Sequence, residues 1–376
     1  MKTAKTTVIA LVLFAMTLTG CTSSPPAGEQ ASGNFHVTDV AGRTVSLKEQ
    51  PKRIVFAEGR EVFASSILNP DNPVDNVVAL GNDLGTAAPS YQDKLEQARP
   101  QVKDLPRIGN IAKGDVTVEN LLAQHPDVVV MTLDHKAAAE KTGLLAKMDQ
   151  AHLKYVFTDF RQKPLENTTT SVKVVGKLIG KEQRAEEFAR FYDGRVQEIT
   201  KRAGTADHQP KTLLWQAAGM NDCCATVKES NMGDLIKAAG GANLGDTLLS
   251  SPSGTVTAEK VVAEQPEHII ATGGAWAKDP NKPETLPHVE MGYYASKNNT
   301  ETTKRGLLDT PGFDKLTGDL HAVYHQFYDS PMNLFALEQF AKWLHPELFA
   351  DVDPVKDFHD FHQQWMPFEA SGEFFS

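Results

Sequence analysis

Short apolar runs that alternate with helical segments are the feature that most limits how this chain can fold. Before residue 160, these runs cover 53–57, 76–80, 127–133 and 154–158. A strand that is apolar at almost every position is buried on both faces, which is typical of a parallel sheet covered by helices. The pattern therefore predicts an α/β fold.

The same alternation returns after residue 205, in a second half of the chain. Its predicted strands cover 212–217, 267–271 and 320–327, and its predicted helices cover 231–239, 258–265 and 333–344. Residues 117–132 also align without gaps on residues 257–272, and both segments contain a capped helix, a proline and a β-branched strand. We therefore predict two related parallel-sheet lobes with a ligand cleft between them, because ligands of such sheets bind beyond the carboxyl ends of the strands.

A long amphipathic segment separates the two lobes. Residues 181–203 contain no proline, and their apolar side chains recur every three or four positions on one helical face. A helix of this length measures about 35 Å, which favours a rigid strut over a flexible linker. The predicted organisation is a signal peptide at 1–20, a tether at 21–35, an N-terminal lobe at 36–165, a helical linker at 166–205, a C-terminal lobe at 206–366 and a tail at 367–376.

The N-terminus predicts export and attachment to lipid. Lys2 and Lys5 precede an apolar stretch at 8–16, which is too short to span a bilayer. Residues 18–21 read Leu-Thr-Gly-Cys and resemble the bacterial lipoprotein signal, in which Cys21 becomes the lipidated first residue of the mature chain. We therefore expect an extracytoplasmic protein that acyl chains hold to a cell membrane, in the periplasm or at the cell surface.

The composition of the chain and the absence of several motifs exclude some classes of function. The chain has 38 Lys and Arg against 48 Asp and Glu, and this net charge of −10 argues against nucleic-acid partners. The sequence has no phosphate-binding loop, dinucleotide fingerprint, nucleophile elbow or zinc-protease motif, so we expect neither an enzyme nor a protein with its own cofactor or metal. His321 and His325 lie on one predicted strand, about 13 Å apart, which is too far for one metal ion.

Several residues follow or end predicted strands, and we predict that they contact a ligand in the cleft. Arg60 follows the first strand and can hold an anionic group in a bidentate contact. A salt bridge of Arg60 with Glu58 or Glu61 is the alternative. Aromatic faces with a few cations suit a bulky, anionic and partly apolar ligand. The other predicted ligand contacts are Arg161, Trp215, Trp276, Tyr324, His325 and Tyr328.

Two adjacent cysteines, Cys223 and Cys224, follow a predicted strand of the second lobe. In an oxidising compartment they can form a vicinal disulfide, whose small ring would mark a stiff functional loop. Two reduced thiols, with one or both buried, are the alternative, and the sequence leaves both possibilities open.

Six short sequence motifs, which occur in a fixed order along the chain, resemble those of a known family. They are VTDVAGRTV at 37–45, PKRIV at 51–55, LAQHPDVVV at 122–130, AAGGAN at 238–243, FYDSPMN at 327–333 and AKWLHPELF at 341–349. Behind a lipoprotein signal, this order resembles the substrate-binding proteins of ABC importers for iron complexes, which include ferrichrome-, haem- and cobalamin-binding proteins. The resemblance covers about residues 36–366. It implies a class III periplasmic-binding-protein fold, in which one long helix joins two α/β lobes.

The resemblance also implies a protein partner. Members of this family carry one exposed glutamate in each lobe, and these glutamates dock on arginines of the membrane permease. Glu119 and Glu259 occupy matching places in the internal repeat, and the resemblance assigns that role to them. The alternative is that each carboxylate only stabilises a helix N-terminus.

The favoured hypothesis is a monomeric, membrane-tethered lipoprotein that captures a ferric siderophore and delivers it to an ABC permease. The iron is already chelated, so the protein needs no metal ligands of its own. Haem or cobalamin is the alternative ligand of the same fold. From a different class, the alternative is a periplasmic α/β enzyme that uses Cys223 and Cys224.

Overall fold

Two four-stranded parallel sheets organise the chain, as the apolar runs predict. The computed structural model describes residues 34–220, 223–276 and 288–376. The predicted signal peptide and the predicted lipidation site Cys21 lie outside the described residues. Within the described ranges, no helix is long and apolar enough to cross a bilayer.

The strands are short, and those at the sheet centres are buried. In chain order they are β1 (Phe35–Thr38), β2 (Thr44–Leu47), β3 (Ile54–Phe56), β4 (Val77–Leu80), β5 (Val128–Thr132), β6 (Tyr155–Thr158), β7 (Lys211–Trp215), β8 (Ala225–Val227), β9 (Ala242–Asn243), β10 (Ser253–Thr255), β11 (His268–Gly273) and β12 (Asp319–Tyr324). Every residue of β3 and β5 is buried. Their apolar composition is therefore explained by helices that cover both faces of the sheet.

The helices alternate with these strands. They are α1 (Val62–Leu68), α2 (Asp83–Ala87), α3 (Pro89–Ala98), α4 (Val118–Leu122), α5 (Lys136–Lys141), α6 (Leu144–Gln150), α7 (Pro164–Leu178), α8 (Glu182–Ala203), α9 (Asn231–Ala238), α10 (Gly245–Leu248), α11 (Ala258–Glu264), α12 (Lys297–Gly306), α13 (Asn333–Leu344) and α14 (Pro354–Trp365). Short 3₁₀ turns follow several strands, among them Gly59–Glu61, Leu133–His135 and His325–Asp329.

The two sheets share one strand order. The first runs β4-β3-β5-β6, and the second, taken from its other edge, runs β9-β7-β11-β12. The repeated sequence segments form α4 with β5 and α11 with β11, so they occupy equivalent places in the two sheets. Thr117 accepts a hydrogen bond from the backbone N–H of Asn120 at 3.2 Å, and Thr257 accepts one from Lys260 at 3.3 Å. The internal repeat of the sequence is therefore also a structural repeat with the same helix cap.

Helices α7 and α8 connect the first sheet to the second. α8 covers the segment that the apolar periodicity predicts. Near its start, Arg184 donates from Nε to the carbonyl of Ile67 in α1 at 2.8 Å. At the middle of α8, Tyr192 donates its hydroxyl proton to Oδ1 of Asn333 in α13 at 2.6 Å. α8 therefore contacts both halves of the chain, as expected for a strut.

Two boundaries differ from the sequence prediction. The strand predicted at 320–327 ends at Tyr324, because the chain turns into a 3₁₀ helix at His325. The residues predicted as a tail, 367–376, pack against β12 instead. Ala322 and Ser376 exchange two backbone hydrogen bonds of 2.6 and 2.8 Å, and Phe374 is only 4% exposed. Phe374 is buried and Phe368 and Phe375 are partly buried, so this segment belongs to the second half of the fold.

Candidate functional site

Loops from the carboxyl ends of both sheets meet between the two halves. The segment after β3 carries Glu58 and Arg60, and Asp83 begins α2, the helix that follows β4. The 3₁₀ turn after β12 brings Tyr328 and Asp329 from the other half. Since parallel strands all end at the same edge of a sheet, residues far apart in sequence converge here.

Arg60 is the centre of this junction. Its Nε lies 2.6 Å from Oε1 of Glu58 and 3.3 Å from Oδ2 of Asp83. Its Nη2 lies 2.9 Å from Oδ2 of Asp329, and its Nη1 donates to the Tyr328 hydroxyl at 2.5 Å. The Arg60 side chain is only 7% exposed. It therefore links the first half of the chain to the second through buried ion pairs.

This arrangement corrects the prediction that Arg60 grips a ligand. Its nitrogen atoms already contact protein oxygens, and little of the side chain reaches open space. Of the two predicted salt-bridge partners, Glu58 is the one that Arg60 contacts. Glu61 instead accepts a hydrogen bond from the Thr158 hydroxyl. Arg60 therefore holds the site together and leaves ligand contact to other residues.

Proton sharing reduces the charge of this buried cluster. Burial raises the pKa of Glu58 well above its ordinary value, although Arg60 acts in the opposite direction. Burial also disfavours the charged form of Asp83, but a hydrogen bond with Glu58 and the charge of Arg60 lower its pKa. We infer that Glu58 keeps its proton and that Asp83 is the charged member of this carboxyl pair beside Arg60.

Arg161 is the predicted ligand contact that lines an open cavity. Its Nη1 lies 2.7 Å from Oδ2 of Asp134, and its guanidinium carbon lies 5.0 Å from the centre of the Tyr328 ring. The buried carboxylate of Asp159 positions the loop, because it accepts hydrogen bonds from the backbone N–H groups of Arg161 at 2.9 Å and of Lys163 at 2.9 Å. Asp159 therefore holds the backbone from which the side chains of Arg161 and Lys163 project.

The cavity beside Arg161 has a volume of about 580 Å³ and lies between the two halves. The first half contributes Asp134 and residues 161–163, and the second half contributes Gln216, residues 227–231 and residues 250–253. These residues lie near the carboxyl ends of strands or next to the paired strands β8 and β10. The cavity is therefore an interlobe cleft of the kind that the strand order predicts.

Two lysines add positive charge to the cavity wall. Lys163 donates from Nζ to the carbonyl of Glu229 at 3.1 Å, and its Nζ also lies 3.6 Å from Oδ2 of Asp234. Lys228 donates to the carbonyl of Leu249 at 3.4 Å. Among the described residues, no carboxylate forms an ion pair with Lys228. The wall therefore offers a cation that protein carboxylates do not neutralise.

His325, Trp276 and Tyr328 form an aromatic layer next to the ion-pair cluster. The His325 ring centre lies 5.0 Å from Trp276 and 4.4 Å from Tyr328. Nδ1 of His325 lies 2.6 Å from the Thr272 hydroxyl. Burial, with help from the two nearby arginines, lowers the pKa of His325 to about 3, so this imidazole is neutral near pH 7. Tyr328 contacts the Arg161 guanidinium, and none of the three rings is part of the cavity wall described above.

Trp215 and Tyr324 are core residues, which corrects their prediction as ligand contacts. Trp215 is fully buried and packs edge-to-face on Phe313, with ring centres 5.7 Å apart. Tyr324 is 1% exposed and packs against Phe374 at 5.3 Å. Each is the last residue of its strand, so its side chain still points into the layer between sheet and helices. The loop begins one residue later.

The structure joins the sulfur atoms of Cys223 and Cys224 in a vicinal disulfide. Cys224 is fully buried, and its backbone exchanges two hydrogen bonds with Val256, of 2.5 and 2.9 Å. This segment leads directly into β8, whose end contributes Val227 to the cavity wall. The disulfide therefore belongs to the scaffold of the cleft.

Glu119 and Glu259 are exposed in the first turns of the equivalent helices α4 and α11. Hydrogen bonds from the helix N-terminus and from the capping threonines Thr117 and Thr257 lower the pKa of both carboxyl groups. Both side chains are therefore negatively charged and accessible at equivalent places of the two halves. This placement is compatible with permease docking and with helix stabilisation alike.

Several residues of the site were not predicted from the sequence. They are Asp83, Asp134, Lys163, Lys228 and Asp329. All of them lie in loops or turns near strand ends, which is the available sequence signal. Their pairing could not be predicted, because it depends on contacts between segments that are far apart in the chain.

Comparison with known proteins identifies the family. A family model described as periplasmic binding protein matches residues 72–317, which is more than half of the chain. The chain therefore belongs to the periplasmic binding protein family, and the predicted family and fold class are confirmed. Proteins of this family are extracytoplasmic substrate-binding components of ABC transporters and work with permease subunits, and they are not enzymes.

Solved structures of similar proteins support this assignment. The TroA-like periplasmic binding protein FepB from Veillonella parvula is 25% identical, with a TM-score of 0.80 over 91% of this chain and 99% of that chain. MolA from Haemophilus influenzae, bound to molybdate, is 16% identical, with a TM-score of 0.66 over 90% and 100% of the two chains. CeuE from Helicobacter pylori, in a nickel–histidine complex, is 16% identical, with a TM-score of 0.61 over 89% and 96%. A comparison with curated protein sequences finds no significant match.

Proposed function

We propose that this protein captures an anionic ferric siderophore in the cavity beside Arg161 and delivers it intact to an ABC permease. The observation that carries the proposal is the cavity itself, which lies between the two halves and has cations from both in its wall. Its volume of about 580 Å³ falls within the range of roughly 300–1,000 Å³ that small-molecule sites occupy. A siderophore complex is a ligand of this size class.

The charges of the wall support an anionic ligand. Arg161, Lys163 and Lys228 face Asp134 and Glu229, so the positive side chains outnumber the negative ones. An anion that contacts Lys228 and the exposed part of Arg161 would gain charge-assisted hydrogen bonds, which are stronger than neutral ones. Negative oxygens of a ferric chelate are the ligand groups that these side chains would recognise.

The proposed ligand needs no metal-binding residues in the cleft. Its iron is coordinated by the siderophore, and the protein recognises only the outside of the chelate. The neutral imidazole of His325 is hydrogen-bonded to Thr272 and packed against the rings of Trp276 and Tyr328, and Arg60 is paired with buried carboxylates. These groups would support the wall on which the chelate rests.

We further propose that Cys21 carries a lipid anchor and that Glu119 and Glu259 dock on the permease. The Leu-Thr-Gly-Cys motif at 18–21 supports the anchor. The exposed, negatively charged carboxylates on equivalent helices support docking, because two such groups can orient the protein over a two-fold symmetric partner.

Titration with a ligand panel tests the proposed function. Purified protein is mixed with anionic and neutral ferric siderophores, haem and cobalamin, and tryptophan fluorescence reports binding. We expect saturable quenching by an anionic ferric siderophore and recovery of the unchanged chelate after denaturation. A Soret band that shifts on addition of haem, with no response to any siderophore, would assign the protein to the haem alternative. Consumption of the ligand would identify an enzyme.

A further inference from the structure

Two histidines and an aspartate share one face of the second sheet, at the end opposite to the cavity. His268 is the first residue of β11, and Asp319 is the first residue of β12. The strand register pairs His268 with Asp319 and Ile270 with His321. Paired residues of parallel strands point to the same face, as do residues two apart along one strand. All three side chains therefore project from a single face.

Their possible ligand atoms are close together. Nδ1 of His268 lies 3.1 Å from Nε2 of His321. One ligand atom from each of the three residues fits within 4.8 Å of the others. Two nitrogen ligands of one tetrahedral zinc ion, each at about 2.0–2.1 Å, are separated by about 3.3 Å. The two imidazoles thus already have the spacing of a shared metal site.

The surroundings hold the imidazoles in place and leave an open side. The indole of Trp343 stacks on the His321 ring, with centres 4.4 Å apart and an angle of 16° between the planes. Both histidines are half-buried, while Asp319 is exposed and can approach from solvent.

We propose that His268, Asp319 and His321 bind one divalent transition-metal ion. Imidazole nitrogens combined with a carboxylate suit zinc, nickel or copper better than magnesium or calcium. A bound ion would replace the hydrogen bond between the two rings, and water would complete its coordination shell. The ion would join the starts of β11 and β12.

This site is separate from the cleft. His268 and Gly273 are the two ends of β11, and five strand residues span on the order of 16 Å. His325, which follows β12, lies at the cleft end and contacts Thr272 there. A metal ion at His268 would therefore not touch a ligand in the cavity, and the two binding events can be tested separately.

Zinc titration of the purified, chelator-treated chain tests the site. Isothermal titration calorimetry with Zn²⁺ should show one bound ion per chain. His321→Ala should weaken zinc binding by more than about tenfold, because direct ligands contribute at least as much as the outer-shell groups that cost 10–100-fold. Asp319→Asn, a change at an exposed position, should weaken it by roughly tenfold. His359→Ala, at an exposed histidine of α14, is the matched control and should leave zinc affinity unchanged.

Two further readouts separate a ligand role from a folding effect. Zn²⁺ should raise the melting temperature of the wild-type chain and of His359→Ala, but not that of His321→Ala. Quenching by the siderophore that binds the wild type should persist in Asp319→Asn, which shows that its cleft is intact. The absence of zinc binding by the wild type would overturn the proposal. So would zinc affinity that is equal in wild type, His321→Ala and Asp319→Asn.

Discussion

A single guanidinium group contacts three carboxyl side chains at the junction of the two sheets. Arg60 follows the first strand, where the sequence predicts a cleft residue, but its partners include Asp83 and Asp329 from distant segments. A buried ion is tolerated only when it is paired and hydrogen-bonded. The sequence shows the arginine and its local partner Glu58, yet it cannot show that two further carboxylates arrive from elsewhere. A ligand contact and a structural ion pair therefore look alike at the sequence level.

Removal of the Arg60 side chain should destabilise the fold strongly. Arg60→Ala leaves buried carboxylates without their cation, and losing one partner of a buried pair costs about 3–5 kcal/mol. Urea denaturation followed by circular dichroism measures this loss. Arg190→Ala, at an exposed arginine of α8, is the control and should change stability little. Equal denaturation midpoints for Arg60→Ala and Arg190→Ala would show that the ion pairs do not support the fold.

Glu61 should make the protein less stable as pH rises. Burial raises the pKa of Glu61 to about 8, against an ordinary value of 4.5 in the unfolded chain. Between these values the folded chain holds a proton that the unfolded chain has released. The unfolding free energy therefore falls with increasing pH, by at most about 1.4 kcal/mol per pH unit from this group.

Glu61→Gln removes this ionisation, so its unfolding free energy should fall less steeply between pH 5 and 8 than that of the wild type. Urea denaturation at several pH values gives both slopes. Glu347→Gln, at an exposed glutamate, should keep the wild-type slope. If Glu61→Gln showed that slope too, Glu61 would not be the proton-binding group.

At the scale of the elements, the sequence predicts the central strands and the linker helix well. Apolar runs correspond to β3, β4, β5 and β6, and the repeat corresponds to α4–β5 and α11–β11. These signals are local, because the spacing of apolar residues along the chain shows whether an element is buried on both faces or on one. The segment 367–376 was not predicted to pack, since its place beside β12 depends on contacts with residues some fifty positions earlier. The end of β12 was also missed, because the chain turns into a 3₁₀ helix at His325.

We predict that the permease docks on glutamates of the equivalent helices α4 and α11. Replacement of both Glu119 and Glu259 by Ala should abolish uptake of radioactive ferric siderophore by cells that carry the permease. Both side chains are exposed and neither lines the cavity, so siderophore affinity of the purified variant should equal that of the wild type.

Glu182→Ala is the matched control for this test, because Glu182 is also an exposed glutamate in the first turn of a helix. It should leave uptake intact. Uptake at the wild-type rate in the double variant would rule out docking through these carboxylates. Reduced affinity in the double variant would assign them to ligand binding.

At the scale of the whole molecule, two repeated sheets, the helices α7 and α8 and the Arg60 ion pairs hold the two halves around one cavity. The sequence predicts this architecture and the location of the cleft, because strand order fixes which edges meet. It predicts the individual wall residues less well. Of the predicted ligand contacts, Arg161 lines the cavity, whereas Trp215 and Tyr324 lie in the core. Lys228 was missed because its place in the wall depends on the pairing of β8 with β10, which are about 25 residues apart in the chain.

The proposed function requires that the cations of the cavity wall bind an intact anionic ferric chelate. Its most direct test is the affinity of the siderophore identified in the panel for wild type, Arg161→Ala, Lys228→Ala and Lys201→Ala, measured by calorimetry. Each wall substitution removes a charge-assisted contact and should raise Kd by roughly tenfold or more. Lys201→Ala, at an exposed lysine of α8, should not change it. Wild-type Kd values for both wall variants would contradict the account.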